Sequence, residues 1–212
     1  MKLYHCQDAR SLRALWALEE LGLPYDLVNM PFPPRARFEG YLTINALGTV
    51  PTLVDGEATL TESSGICAYL AERYGPTSLS VRPEEAAYGD YVNWLFRSDA
   101  TLTFPQTIVL RYSQLEPPER RLPQAVTDYT AWYLSRLRSV ETALSDGRDY
   151  LCAGRFTMAD IAVHFALYLG RTLGLDAHYK PNCLRYLGAL QERPAFQRAL
   201  ARQAEPVSRG VA

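Results

Sequence analysis

The stretch from Gly48 to Tyr69, GTVPTLVDGEATLTESSGICAY, decides how this chain folds. Val50-Pro51-Thr52-Leu53-Val54 is β-branched and apolar, and its proline lies near the head of the run, or on an edge, where a missing backbone donor costs least. Asp55-Gly56 supplies the residues a two-residue hairpin turn prefers, because both central positions call for positive φ. Thr59-Leu60 reads as the return strand. Glu62-Ser63-Ser64 stands immediately before the apolar positions Ile66, Tyr69 and Leu70, so one of these polar residues is expected to cap a helix. A strand thus delivers Glu62 and Ser63 onto the positive end of a helix, where backbone donors meet side-chain donors and acceptors in a ready anion site. A plain hairpin followed by a capped helix accounts for the same residues without any ligand.

Upstream, Met1 to Cys6 fits a short strand, with Gln7-Asp8-Ala9 as a polar corner. Leu12, Leu15, Trp16 and Leu21 recur at helical steps, with Arg13, Glu19 and Glu20 elsewhere on the wheel. That predicts an amphipathic helix with Asp8 or Ser11 at its start and Gly22 near its end. Tyr25 to Met30 predicts a second strand, so strand, helix and strand imply a right-handed parallel crossover. Pro31 to Gly40 reads as a surface loop leading into a poorly defined helix. The complete order, strand-helix-strand-loop-strand-strand-helix, is that of a thioredoxin-like domain.

Downstream of Gly75-Pro76 and Pro83 the strand signals fade, which divides the chain into an α/β thioredoxin-like domain over 1–78 and an all-α helical domain over 85–212. Apolar residues continue at helical steps from Glu84 to Leu115, and Gln114 to Pro123 reads as a solvated connection. Ala125 to Leu144 predicts a long helix with Tyr129, Trp132, Tyr133, Leu137, Val140 and Leu144 along one face. Thr157-Met158-Ala159-Asp160, just ahead of Ile161, Phe165 and Leu169, is built as a capping box, whose role is folding rather than chemistry. Further helices are expected from Lys180-Pro181 and around Arg193-Pro194, and the end from Glu205 to Ala212 reads as frayed.

The 212 residues are 48% hydrophobic and 21% charged with a net charge of −1, which gives no general pull toward nucleic acid or an acidic membrane. No apolar run reaches the ~18 residues of a membrane span, and the N-terminus lacks a secretory pattern, so a cytoplasmic protein is expected. Cys6, Cys67, Cys152 and Cys183 form no C-x-x-C pair and have no histidine at ligand spacing, so neither zinc nor a disulfide framework is expected. Cys67, Cys152 and Cys183 read as core filler. His5, His164 and His178 read as structural.

The succession V-P-T-L, D-G, L-T-E-S and I-x-x-Y-L resembles the glutathione-binding half of the cytosolic glutathione transferases. Arg155-Phe156-Thr157-Met158-Ala159-Asp160 resembles the capping box that opens the central buried helix of that family's all-helical domain, and Arg193-Pro194-Ala195-Phe196 resembles its closing turn. The resemblance implies a cis bond between Val50 and Pro51, a Val50 backbone that pairs with the cysteinyl unit of glutathione, and a Glu62-Ser63 pair holding the γ-glutamyl end. It implies glutathione as co-substrate, conjugation to small electrophiles or peroxide reduction in a detoxifying role, and a homodimer.

An enzyme using glutathione must supply thiolate near neutral pH. Ser11, at a predicted helix start, matches a serine of the beta-like bacterial transferases, which carry a reactive cysteine just before it. Here that position is Arg10, whose guanidinium can itself steady a thiolate. An alignment anchored on Cys6 and Arg10 instead matches the catalytic serine of theta- and tau-like enzymes, and an active Cys6 implies the thiol transfer of omega-like members. Thr49 stands where many relatives carry lysine, so Arg35 or Arg37 is the candidate for the glycyl carboxylate. Asp99 is a candidate for the γ-glutamyl amine of a neighbouring subunit. Phe104, Tyr112 and Tyr168 are candidates for the electrophile site, although each reads equally as core. A second reading, a transferase-like binding or regulatory module working through protein contacts as the stringent-starvation regulators do, draws on the departures at Arg10 and Thr49.

Overall fold

The structure, a computed structural model, describes residues 1–208. The frayed end expected over 205–212 lies, from 209 onward, outside the described residues. The chain runs β1 (Lys2–His5), α1 (Ser11–Leu21), β2 (Asp26–Asn29), α2 (Pro34–Arg37), α3 (Tyr41–Ile44), β3 (Thr52–Asp55), β4 (Ala58–Leu60), α4 (Ser63–Arg73), α5 (Tyr88–Arg97), α6 (Phe104–Leu110), α7 (Pro123–Ala143), α8 (Met158–Thr172), α9 (Pro181–Gln191) and α10 (Pro194–Gln203). Met1–Ser80 and the chain from Gln191 onward form one compact unit, and Val81–Leu190 a second. Sequence order alone had grouped the last helix with the second domain. Its contacts group it with the first: Trp16 meets Phe196 edge-on at 4.8 Å, and Arg193 forks onto Glu20 at 2.7 and 3.0 Å.

In the first unit the sheet order is β2-β1-β3-β4. β1 and β2 run parallel, as the intervening α1 requires, and the β1/β3 and β3/β4 pairs are antiparallel. Pro51 therefore stands ahead of a strand paired on both sides, at its head and not on an edge. The hairpin turn falls one residue later than the sequence predicts. Asp55 pairs with Ala58, so its centre is Gly56-Glu57, and positive φ is needed at Gly56 (58°) but not at Glu57.

Side chains alternate across the sheet. Leu3 and Leu53, paired across β1 and β3, are buried, as are Leu15 and Trp16 of α1 and Ile66 and Leu70 of α4, and Tyr4 and Cys6 belong to a cluster with Met30, Phe38 and Tyr41. Arg13 departs from expectation: assigned by hydropathy to the polar side of α1, it is fully buried (0% exposed).

The second unit is helical. Tyr88 to Leu115 is interrupted twice, at Ser98–Thr103 and Arg111–Leu115, by π-helical turns in place of regular helix. In α7 the buried side chains are Tyr133, Leu137 and Val140. Trp132, expected on that face, is 44% exposed because it sits one position, about 100° of rotation, from Tyr133. It stacks on Tyr129 instead, with ring centroids 5.3 Å apart. Twelve of the fifteen residues of α8 are buried, the mark of a helix apolar all round and enclosed in its unit. Among the described residues no helix is long and apolar enough to cross a membrane.

Candidate functional site

The loop before β3 is built to present its backbone. Val50–Pro51 is a cis bond. The Thr49 carbonyl accepts from the Tyr41 hydroxyl at 2.6 Å and from Asn45 Nδ2 at 2.9 Å. The Thr52 Oγ1 lies 2.8 Å from the same hydroxyl and accepts from Asn45 Nδ2 at 3.1 Å. Two side chains of the α3 region thus fix both ends of the Thr49–Thr52 turn, leaving the Thr49 side chain exposed and Val50 half-buried. Gly48 enters this turn with φ 61°, and a Cβ there would lie 2.6 Å from that of Arg35. Arg35 itself is exposed on α2 and lines, with Arg37 and Tyr41, a surface cleft of about 350 Å³. Arg37 donates to the Phe32 carbonyl at 3.2 Å. Sequence reading missed Tyr41, Asn45 and Thr52, because a tyrosine and an asparagine in a weak helix carry no periodic signal.

Beyond the hairpin, α4 opens at Ser63, and its hydrogen-bond ladder begins with the Ile66 N–H on the Glu62 carbonyl at 2.8 Å. The expected side-chain cap is not what forms: Glu62 occupies the cap position in extended conformation and makes no side-chain cap bond. Glu62 is instead exposed, while Ser63 is 2% exposed. The Ser63 Oγ accepts a 2.9 Å hydrogen bond from the buried Arg13 guanidinium, which reaches across from α1.

At the start of α1, Arg10 holds the cap position, half-buried and without a side-chain cap bond. Ser11 is the first helical residue. Its hydroxyl does not cap the helix but turns back to the end of β1, accepting from the Cys6 N–H and donating to the Cys6 carbonyl, each at 3.3 Å. Both Ser11 and Cys6 are fully buried. The Cys6 thiol points at the Pro31 carbonyl, 3.8 Å away, and burial pushes it up to about 12. That is opposite to the lowered value a thiol-transfer nucleophile requires, so the geometry of Cys6 is that of a core residue. Asp8, in the corner between β1 and α1, takes φ 54°. It exchanges two hydrogen bonds with the Gln203 amide, at 3.1 and 3.0 Å.

The remaining candidates belong to the second unit. Asp99 is partly exposed on the first π-helical turn. Phe104, at the start of α6, is 46% exposed and meets Tyr129 at 6.4 Å. The Arg111 guanidinium lies over the Tyr112 ring at 5.3 Å, and Tyr168 stacks on His164 at 6.1 Å. The three aromatic candidates thus each have a different neighbour. Thr157 and Asp160 form the capping box that the sequence predicts: Asp160 Oδ2 accepts from the Thr157 N–H at 2.9 Å, and Thr157 Oγ1 accepts from the Ala159 N–H at 3.3 Å.

Comparison with known proteins places this architecture. The profile of the glutathione S-transferase N-terminal domain matches residues 3–78. Glutathione S-transferase GstB of Escherichia coli is 30% identical over 192 residues, spanning 89% of this chain and 91% of that protein. Glutathione S-transferase 3 of Schizosaccharomyces pombe is 27% identical over 91% of this chain and 84% of that protein. Among solved structures, a sphingomonad glutathione S-transferase complexed with glutathione superposes with a TM-score of 0.84 at 25% identity, covering 97% of this chain and all of that one. With the cis turn ahead of β3, the four-stranded sheet and the buried α8 in place, the chain belongs to the glutathione S-transferase family.

Proposed function

We propose that this protein binds reduced glutathione on its thioredoxin-like unit and transfers the tripeptide, through its sulfur, to small electrophiles. The observation that carries the reading is the pairing of an exposed carboxylate, Glu62, with an α4 N-terminus opened by Ser63 and not capped by the Glu62 side chain. The γ-glutamyl end of glutathione carries an ammonium and a carboxylate on one carbon. Glu62 suits the first, and the helix N-terminus with its hydroxyl suits the second. The Val50 backbone, held by Tyr41 and Asn45, is the partner for the cysteinyl unit. Thr49 and Arg35 flank the path to the glycyl carboxylate.

For the thiolate, the support favours the N-terminus of α1, with Arg10 at its cap, over Cys6, whose thiol stays protonated. Ser11 acts there by holding the β1–α1 corner. The electrophile is assigned to the helical unit, with Phe104, Tyr112 and Tyr168 as apolar surface, and Asp99 as a contact to the γ-glutamyl amine across a homodimer. A cytoplasmic location fits the same reading, since Cys6, Cys67, Cys152 and Cys183 are all free thiols.

The test is titration of the purified protein with reduced glutathione, followed by turnover of an activated haloarene. Saturable binding, weakened at least tenfold by Glu62→Ala, is expected from the loss of a charged partner. No binding and no conjugation across a panel of electrophiles would overturn the proposal. An Arg10→Ala enzyme should show a raised pKa for the bound thiol, followed by ultraviolet thiolate absorbance.

A further inference from the structure

We infer that a pocket between α7 and α9 of the helical unit binds a small aromatic carboxylate, with Arg138, His178 and Lys180 taking the carboxylate and Leu134, Leu137 and Cys183 the ring. The inference is independent of the glutathione reading and uses no residue assigned to that site.

The pocket has a volume of about 250 Å³, just below the range of drug-sized sites, which fits an acid of one or two rings. Its buried lining is apolar. Leu137 is 4% and Cys183 0% exposed, with Leu134 half-buried beside them. Burial pushes the Cys183 thiol up to about 12, so at neutral pH it is an uncharged wall and not a nucleophile.

The exposed lining is cationic, and the backbone sets it in place. Tyr179 is extended (φ −72°, ψ 143°) and buried. Its hydroxyl donates to the Leu167 carbonyl at 2.9 Å and lies 2.5 Å from that of Tyr133. Alternate side chains of an extended stretch point the same way, so drawing Tyr179 inward turns His178 and Lys180 outward together, and both line the pocket. Among the described residues neither of these two side chains has a hydrogen bond or an ion pair. From α7, Arg138 donates through Nε to the Ser135 carbonyl at 3.1 Å and through Nη2 to the Ser135 hydroxyl at 3.0 Å. Those bonds hold the guanidinium along the helix and leave most of its donors for a ligand.

The acids nearby are engaged elsewhere. Glu141, the carboxylate in the lining, accepts from the Asn182 Nδ2 at 2.9 Å and the Cys183 N–H at 3.0 Å, and so serves the head of α9. Asp176 pairs with Arg171 at 3.2 Å. Exposed cations alone hold an anion weakly. Here they border an apolar wall that removes a ring from water, and a guanidinium can also lie over the face of that ring. Together the two halves select a ligand that carries both a negative charge and a compact apolar body.

Nuclear magnetic resonance reads this site directly, because of the three histidines only His178 is exposed. Adding 2-naphthoate to the full chain, with or without reduced glutathione, should move the His178 ring resonances saturably and leave those of His5 and His164 in place. The Kd expected is on the order of 1 mM or tighter, as about thirteen heavy atoms give at drug-like efficiency. The neutral isostere 2-naphthamide should bind roughly tenfold more weakly. Arg138→Met and Lys180→Met, which keep the aliphatic stems, should each weaken 2-naphthoate about five- to tenfold with Tm and glutathione turnover unchanged. Equal binding of acid and amide would reveal an apolar patch without anion recognition and would overturn the inference. So would wild-type affinity in both variants, displacement of 2-naphthoate by an equal concentration of inorganic phosphate, or a ligand that moves His164 and not His178. Absence of saturation at roughly ten times the expected Kd would overturn it as well.

Discussion

Asp160 is a side chain whose removal can be worked through number by number. It is fully buried, and its carboxylate accepts from the Leu151 N–H at 3.0 Å, the Thr157 N–H at 2.9 Å and the Tyr186 hydroxyl at 2.9 Å. Asp160→Ala strands these three buried donors, at about 2 kcal/mol each, or roughly 6 kcal/mol in all. Against that stands a relief. Burial raises the carboxyl from 3.8 to about 6, so keeping it ionised at neutral pH costs the wild type roughly 3 kcal/mol that the alanine variant does not bear. The net expectation at neutral pH is therefore a loss of about 3 kcal/mol, or roughly 6–12 °C in Tm for a chain of this size. The pH dependence has a definite sign. Because the folded value lies above the unfolded one, the wild type carries no ionisation penalty below 3.8 and acquires it as the pH rises toward 6. The stability gap between wild type and variant should accordingly be wider near pH 4 than at pH 7. Urea unfolding at the two pH values, followed by tryptophan fluorescence, measures both quantities. A neutral-pH gap under about 1 kcal/mol, or a gap that widens as pH rises, would refute the reasoning.

Three shorter expectations follow from other packed points. A Cβ at Gly170 would lie 1.9 Å from the Tyr179 hydroxyl and 2.8 Å from that of Tyr133, so Gly170→Ala should cost about 1–3 kcal/mol; an unchanged Tm would contradict it. Asn45→Ala removes the amide that holds both Thr49 and Thr52, and should raise KM for glutathione severalfold with less effect on kcat, as initial rates will show. Cys6, buried with its thiol pushed up to about 12, should resist alkylation by iodoacetamide in the native protein at neutral pH; rapid modification detected by peptide mass would show an accessible thiolate there.

Much of this was legible in the sequence because it is written in short-range patterns. The hairpin, the β1–α1–β2 crossover and the α8 capping box each depend on residues within a few positions of one another; the capping box stands where the sequence puts it, and the hairpin turn and strand ends shift by one residue. Glu62 and Ser63 were legible for the same reason, lying between a return strand and a helical period. What escaped were relations between elements. Tyr41 and Asn45 act on Thr49 and Thr52 through hydrogen bonds that no periodicity encodes. Gln203 reaches Asp8 across 195 positions, which groups the last helix with the first strand although order along the chain suggests otherwise. Trp132 was misplaced because a hydrophobic residue type stood next to, not on, the buried stripe of α7.

Arg13 is the sharpest of these failures. Hydropathy assigns an arginine on an amphipathic helix to water, and for most arginines that assignment is sound. A buried guanidinium is tolerated only where partners replace its hydration, and such partners can lie on other elements, among them Ser63 at the head of α4. Burying an arginine in an otherwise apolar face of α1 gives up stability that a leucine at the same position would supply. The hydrogen bond from Arg13 to the Ser63 Oγ ties α1 to the head of α4. Glu19 and Glu20, on the same helix, are paired differently. Those carboxylates pair with Arg198 and Arg193 at 2.8 and 2.7 Å in ion pairs that fasten α1 to α10 and point to no ligand.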